Sequence, residues 1–180
     1  MNISKETLVK NAQVVINSYA ELFGYDIKRS GGFICVKEFG SSKFEDTFIC
    51  KVGNIFDETK HKKYMTLCKE KDERLEKTYN GTDVLTSWDT RRPRENEFGG
   101  AIYMPKFSTQ LTSFSGLPEN DDEVCMFALQ SVSIASDNYR EEYLNAVTKI
   151  CSSRLPFPNS KQRMDRIRLI AKGVKVLASE

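Results

Sequence analysis

The sequence predicts an α+β fold: one domain with a mainly antiparallel sheet and flanking helices. Three observations lead there. Helix-period apolar stretches open and close the chain. Strand-like apolar runs come in pairs joined by short polar loops. Only the connection through the second helix has the length of a crossover. At 180 residues, 39% apolar and 29% charged, the chain can bury a sizeable core as a single unit.

The first helix covers residues 4–23, with Leu8, Ala12, Val15, Ile16, Tyr19, Leu22 and Phe23 at helical spacing, Ser4 as N-cap and Gly24 as the stop. Runs at 32–39 and 44–52, rich in Phe, Ile, Cys and Val, read as strands joined by a loop of hairpin length at 40–43. Cys35 and Cys50 are expected to face each other across that hairpin. A second helix, 57–78, shows a narrow inner stripe of Tyr64, Leu67, Cys68, Lys71 and Leu75 among many charges, so its other face is expected in water. Residues 79–97 lose periodicity, apart from a turn at Asn80-Gly81 and a short strand at Val84-Leu85. A loop this long is expected to be functional or mobile.

A strand at 98–104 opens with Gly99-Gly100, and a strand at 109–115 is broken by Gly116-Leu117-Pro118. The next helix, 121–135, takes Asn120 or Asp121 as its cap and crowds Glu119, Asp121, Asp122 and Glu123 into its first turn. Two helices close the chain. One covers 138–152 behind Asp137, with Tyr139, Tyr143, Ala146, Val147 and Ile150 inward. The other is capped by Asn159 or Ser160, with Met164, Ile167, Ala171 and Val174 on one side. The core is expected in residues 1–136, with 137–180 as a helical addition.

Composition excludes several chemistries. A net charge of +2 makes no electrostatic case for nucleic acid as the main partner. No apolar run reaches bilayer length and the first residues lack a signal peptide's apolar centre, so a cytoplasmic protein without membrane contact is expected. Five cysteines without a C-x-x-C pair argue for buried thiols over a zinc or redox motif. With His61 as the sole histidine, a His-rich metal site is impossible within one chain, and a Ser-His-Asp arrangement would have to run through it.

Candidate site residues fall in two places. Trp88, Arg91 and Arg92, with Arg94, form a basic-aromatic stretch that could stack a ring and clamp a phosphate or carboxylate. The competing reading is a solvated loop with Trp88 tucked on the core edge. Gly99, Gly100, Ser115, Gly116, Asp122 and Glu123 lie along 98–123. The glycines permit close backbone approach, Ser115 sits at a strand-to-helix turn, and the carboxylates suit a cation or an amine better than a phosphate. Simple turns and helix capping compete with these readings. Lys161, Arg163, Arg166, Arg168, Lys172 and Lys175 make the last helix basic, which is a solvated face or a partner surface.

The order of elements, with Phe98-Gly99-Gly100 before one strand, then Ser113-Phe114-Ser115-Gly116 and Asp122-Glu123 after the next, resembles the GlcG/HbpS-like family, a profilin-like domain also attached to some corrinoid adenosyltransferases. Ala101 stands where that family often has a third glycine, and 105–108 replaces its usual Asp-Gly turn. The resemblance implies a profilin-like fold, small-molecule binding, homo-oligomers and, for some members, haem. Because no C-x-x-C-H is present, a haem iron would need His61, a cysteine or a tyrosine as axial ligand. The expected function is a small-molecule-binding or sensory module without its own catalysis. The alternatives are a hydrolase using Ser115 with Asp122 and Glu123, and a protein-interaction module using the basic C-terminal helix.

Overall fold

Strand alternation sorts side chains to two faces, and the sheet follows from it. The computed structural model describes residues 5–41, 47–81, 85–153 and 160–178. Its elements are α1 (Lys5–Phe23), β1 (Gly31–Glu38), β2 (Thr47–Gly53), α2 (Lys60–Thr78), β3 (Ala101–Ile102), β4 (Gln110–Ser115), α3 (Glu119–Ser133), α4 (Asp137–Ser153) and α5 (Ser160–Ala178). The sheet order is β2-β1-β4-β3, with every pairing antiparallel. The protein is thus α+β, with a mainly antiparallel sheet flanked by helices.

Ile34, Val36, Val52, Ile102 and Phe114 turn toward α1 and α3, where they pack with Leu8, Ala12, Val15, Ile16, Val124 and Phe127. Ala101, Tyr103 and Leu111 turn the other way and pack with Leu75 of α2. One helix therefore covers one face and two cover the other. The second of these layers is backed by α5, whose Met164, Ile167 and Ile170 join the same core, as do Tyr143 and Val147 of α4. Among the described residues no helix is long and apolar enough to cross a membrane.

Several expectations are corrected. The 98–104 strand shortens to Ala101–Ile102, because Gly100 has φ +118° and Met104 begins a turn closed by the amides of Phe107 and Ser108. Cys35 lies opposite Ile49, and Cys50 opposite Ile34, so the two thiols are on opposite faces of the sheet. All five cysteines are free. Helix α3 starts at Glu119 with Pro118 as N-cap and no side-chain cap. Asn120 and Asp121 lie inside it. Helix α2 buries Lys71, Asp72 and Arg74 along with Cys68 and Leu75, so its charges are not simply solvated. The expected Ser4 and Asn159 caps and Val84 lie outside the described residues.

The 85–98 segment is strapped down. Arg74 donates from Nη1 to the carbonyl of Ser87 (2.9 Å) and to Thr90 Oγ1 (2.8 Å), and from Nη2 to the carbonyl of Phe98 (2.5 Å). Glu70, one turn earlier, accepts from its Nε at 2.6 Å. A planar guanidinium with five donors suits this gathering of carbonyls.

Candidate functional site

The C-terminal end of β4 and the N-terminal end of α3 meet the first half of α2 at a cavity of about 270 Å³. It is lined by Lys63, Tyr64, Leu67, Lys71, Phe98, Ser115, Leu117, Pro118, Glu119 and Asp122. Its polar centre is an ion pair. Lys71 and Asp122 are 1% and 2% exposed, and Lys71 Nζ donates to Asp122 Oδ2 and to the carbonyl of Phe114, each at 2.7 Å. The backbone N–H of Leu117 donates to Asp122 Oδ1 at 2.9 Å. Removing two charges from water is costly, and it is tolerated here because both are paired and hydrogen-bonded. Burial pushes the Asp122 carboxyl up to about 6, while the Lys71 charge, its hydrogen bond and the Leu117 amide oppose the rise.

Gly100 is required by this pair. A Cβ there would sit 2.7 Å from Asp122 Cβ, 2.9 Å from Lys71 Nζ and 3.0 Å from the Phe114 carbonyl oxygen, and φ is +118°. The glycine thus belongs to the site as the absence of a side chain. Gly116 plays the parallel part against β1, where its Cβ would come within 2.3 Å of the Gly31 carbonyl oxygen.

Of the residues singled out in the sequence, Ser115 and Asp122 line the cavity, and Gly100 and Gly116 shape the backbone around it. The Gly99 amide donates to Glu119 Oε2 at 3.0 Å, fixing a carboxylate at the rim. Glu123 is 1% exposed and is not part of the lining. Trp88 is 6% exposed, with the Arg91 guanidinium 3.7 Å above its ring and Arg91 Nη1 on its carbonyl. Arg92 is paired with Glu95 and, through two bonds, with Glu97. Arg91 and Arg92 are thus engaged within the loop, Trp88 is tucked on the core edge, and Arg94 is exposed.

The acidic helix start is equally engaged. Asp121 accepts from the hydroxyls of Tyr19 and of Tyr25 (2.6 Å), and Arg166 of α5 approaches its Oδ1 at 3.2 Å. Burial, reinforced by Asp121, raises the Tyr25 hydroxyl to about 12 and the Tyr19 hydroxyl beyond the ordinary range. Asp122 is spent on Lys71 and Leu117, and Glu119 on Gly99 with Arg91 3.9 Å away. Each of these three carboxylates thus has a partner within the protein, the loosest being Glu119, whose Oε1 has only Arg91 at 3.9 Å.

Lys71 is the residue that reading the sequence for sites missed. Its signal was present: it occupies the inner stripe of α2, where a lysine needs a buried partner. Tyr64 and Leu67, on the same stripe, supply apolar wall. Phe98 is a half-buried wall residue. His61 packs edge-on against Phe33 at 5.8 Å between ring centroids and is not in the lining. Among the described residues no group of three or more His, Cys, Asp or Glu is arranged to hold a metal ion.

A second buried cluster lies on the same side of the sheet. Asp72 is 1% exposed, and its carboxyl oxygens make no well-formed hydrogen bond, with the Cys35 thiol and Ser113 hydroxyl as weak polar neighbours. Cys35, Lys37, Thr47, Lys69 and Glu73 share a cavity of about 120 Å³ with it. Burial raises its carboxyl to about 7, and the nearby Cys35 thiol, Ser113 hydroxyl and Lys37 charge temper that rise. Of the basic residues of α5, Lys161, Arg168 and Lys172 are exposed, while Arg166 turns inward to Tyr19, Asp121 and the Phe23 ring. The side chains of Arg163 and Lys175 lie outside the described residues.

Comparison with protein-family models, curated proteins and solved structures returned no match.

Proposed function

We propose that this chain is a small-molecule-binding or sensory module without catalysis of its own, and that its ligand occupies the cavity beside residues 98–123. One observation carries the reading: a buried Lys71–Asp122 pair at a cavity walled by Tyr64, Leu67, Phe98, Leu117 and Pro118, with Lys63, Ser115 and Glu119 as its other polar lining. A concave, mostly apolar site with a few fixed polar groups is the usual form of a ligand pocket, and about 270 Å³ is near the lower end of such pockets. The GlcG/HbpS-like resemblance suggests the same class of function, together with self-association. Five free cysteines accord with a reducing cytoplasm.

Haem does not fit this lining. Tyr64 is the one lining residue of an axial-ligand type named above, but a cavity of about 270 Å³ is too small for the macrocycle. The ligand is accordingly smaller than a tetrapyrrole. The hydrolase reading has the Ser115 hydroxyl in the same lining as Asp122, but that carboxylate is bonded to Lys71 and the Leu117 amide, Glu123 is outside the lining and His61 is elsewhere.

Native mass spectrometry of the protein purified from cells tests the proposal. A retained small molecule, lost when Leu67→Trp fills the cavity, is expected. A clean apo mass with a stoichiometric protein partner would instead favour the interaction module. An absorbance scan after haem addition is expected to show no Soret shift. Sedimentation equilibrium checks self-association, and a monomer at every loading concentration would remove that part.

A further inference from the structure

The chemistry of the ligand's head follows from hydrogen-bond accounting in the cavity, and this inference rests on the binding-module reading above. A lysine ammonium has three N–H donors. Lys71 places two, on Asp122 Oδ2 and the Phe114 carbonyl, and no described group accepts the third. The Ser115 hydroxyl lines the same cavity, its residue is 3% exposed, and it makes no hydrogen bond to any described residue. The cavity is half open, so water serves these donors in the free protein, and a ligand acceptor would take its place.

The acceptor side has little left to offer. Asp122 uses one oxygen on Lys71 and the other on the Leu117 amide, and Glu119 holds the Gly99 amide. Around this centre stand Tyr64, Leu67, Phe98, Leu117 and Pro118. The site is therefore donor-rich at its polar centre and apolar at its walls. Lys63 at the lining adds a further positive charge.

We propose that the cavity receives a small molecule through a carbonyl or carboxylate oxygen, held by the Ser115 hydroxyl and the third N–H of Lys71, with an apolar body between Tyr64, Leu67, Phe98 and Leu117. A cationic head is disfavoured at this centre, because an ammonium would face Lys71, and the remaining carboxylate oxygen, Glu119 Oε1, stands toward Arg91 at 3.9 Å.

Four probes of one shape separate the outcomes: benzoate, benzamide, benzyl alcohol and benzylamine, titrated into the full chain by ligand-observed NMR and calorimetry. Benzoate and benzamide are expected to bind saturably, and benzylamine at least about tenfold more weakly. The benzoate-to-benzamide ratio distinguishes an anionic from a neutral acceptor. Ser115→Ala, which removes one small hydroxyl and keeps the fold, is expected to weaken both acceptor probes about tenfold and leave benzylamine unchanged. Thermal unfolding of the variant confirms that it remains folded.

Equal binding of all four probes, tighter binding of benzylamine, an inert Ser115→Ala, or no saturable binding of either acceptor probe would each overturn the inference. These outcomes are separate from failure of the binding-module reading. A retained amine found by native mass spectrometry would uphold the module and sink the acceptor head, whereas an apo mass and no bound probe would sink both.

Discussion

Asp72→Asn should make the protein more stable at neutral and alkaline pH. The perturbation replaces a buried carboxyl that makes no well-formed hydrogen bond by an amide of the same shape. In the folded chain burial moves the Asp72 pKa from 3.8 to about 7. That displacement corresponds to about 4 kcal/mol between the two protonation states. The sign follows from linkage. Between pH 4 and 7 the folded state keeps a proton that the unfolded state releases, so stability falls as pH rises through that window and levels off above 7. The amide cannot ionise, so the variant escapes that fall. Near pH 4 the two proteins should match, since a protonated carboxyl and an amide are both neutral and equally short of partners. By pH 8 the variant should lead by up to about 4 kcal/mol. Urea unfolding at a series of pH values measures it. Asp122, raised to about 6, contributes a similar slope in both proteins and cancels in the difference. A variant that is less stable at pH 8, or a difference that does not change with pH, would refute the reasoning.

Three further outcomes are expected. Gly100→Ala forces a Cβ to 2.7 Å from Asp122 Cβ at φ +118° and should cost about 3 kcal/mol or more in denaturant unfolding; a loss below about 0.5 kcal/mol would contradict the close approach. Lys71→Met strands Asp122 in the interior and should cost about 3–5 kcal/mol, much of it recovered in the double variant Lys71→Met/Asp122→Leu; additive losses in that double-mutant cycle would mean that the pair is not coupled. Arg166→Met removes the bonds to Tyr19 and Asp121 and should cost about 1–3 kcal/mol, with faster amide exchange in α5 than in α2; uniform exchange would show that Arg166 does not hold that helix.

The parts of the fold that were legible are those set by periodicity. Leu8, Ala12, Val15, Ile16 and Tyr19 announce α1 and are all buried, and two runs rich in Phe, Ile, Cys and Val around a short polar loop announce the β1–β2 hairpin. What was illegible depends on partners remote in the chain. Asp122 was named as a site residue, but its partner Lys71 lies 51 positions away, and nothing local links them. Arg74 was counted with the solvated charges of α2, whereas its acceptors are carbonyls of Ser87 and Phe98. The acidic run 119–123 looked like one feature because its members are adjacent. Helical geometry instead sends Asp121 toward α1 and α5 and Asp122 toward α2, so adjacent carboxylates serve different contacts.

Lys71 and Arg74 stand three residues apart on α2, and each ends on a main-chain carbonyl of the segment that bounds the cavity, Phe114 for one and Phe98 for the other. The helix is thereby bolted at two points to the frame it covers. Any shift of α2 would therefore break its bonds to β4 and to the 85–98 strap together.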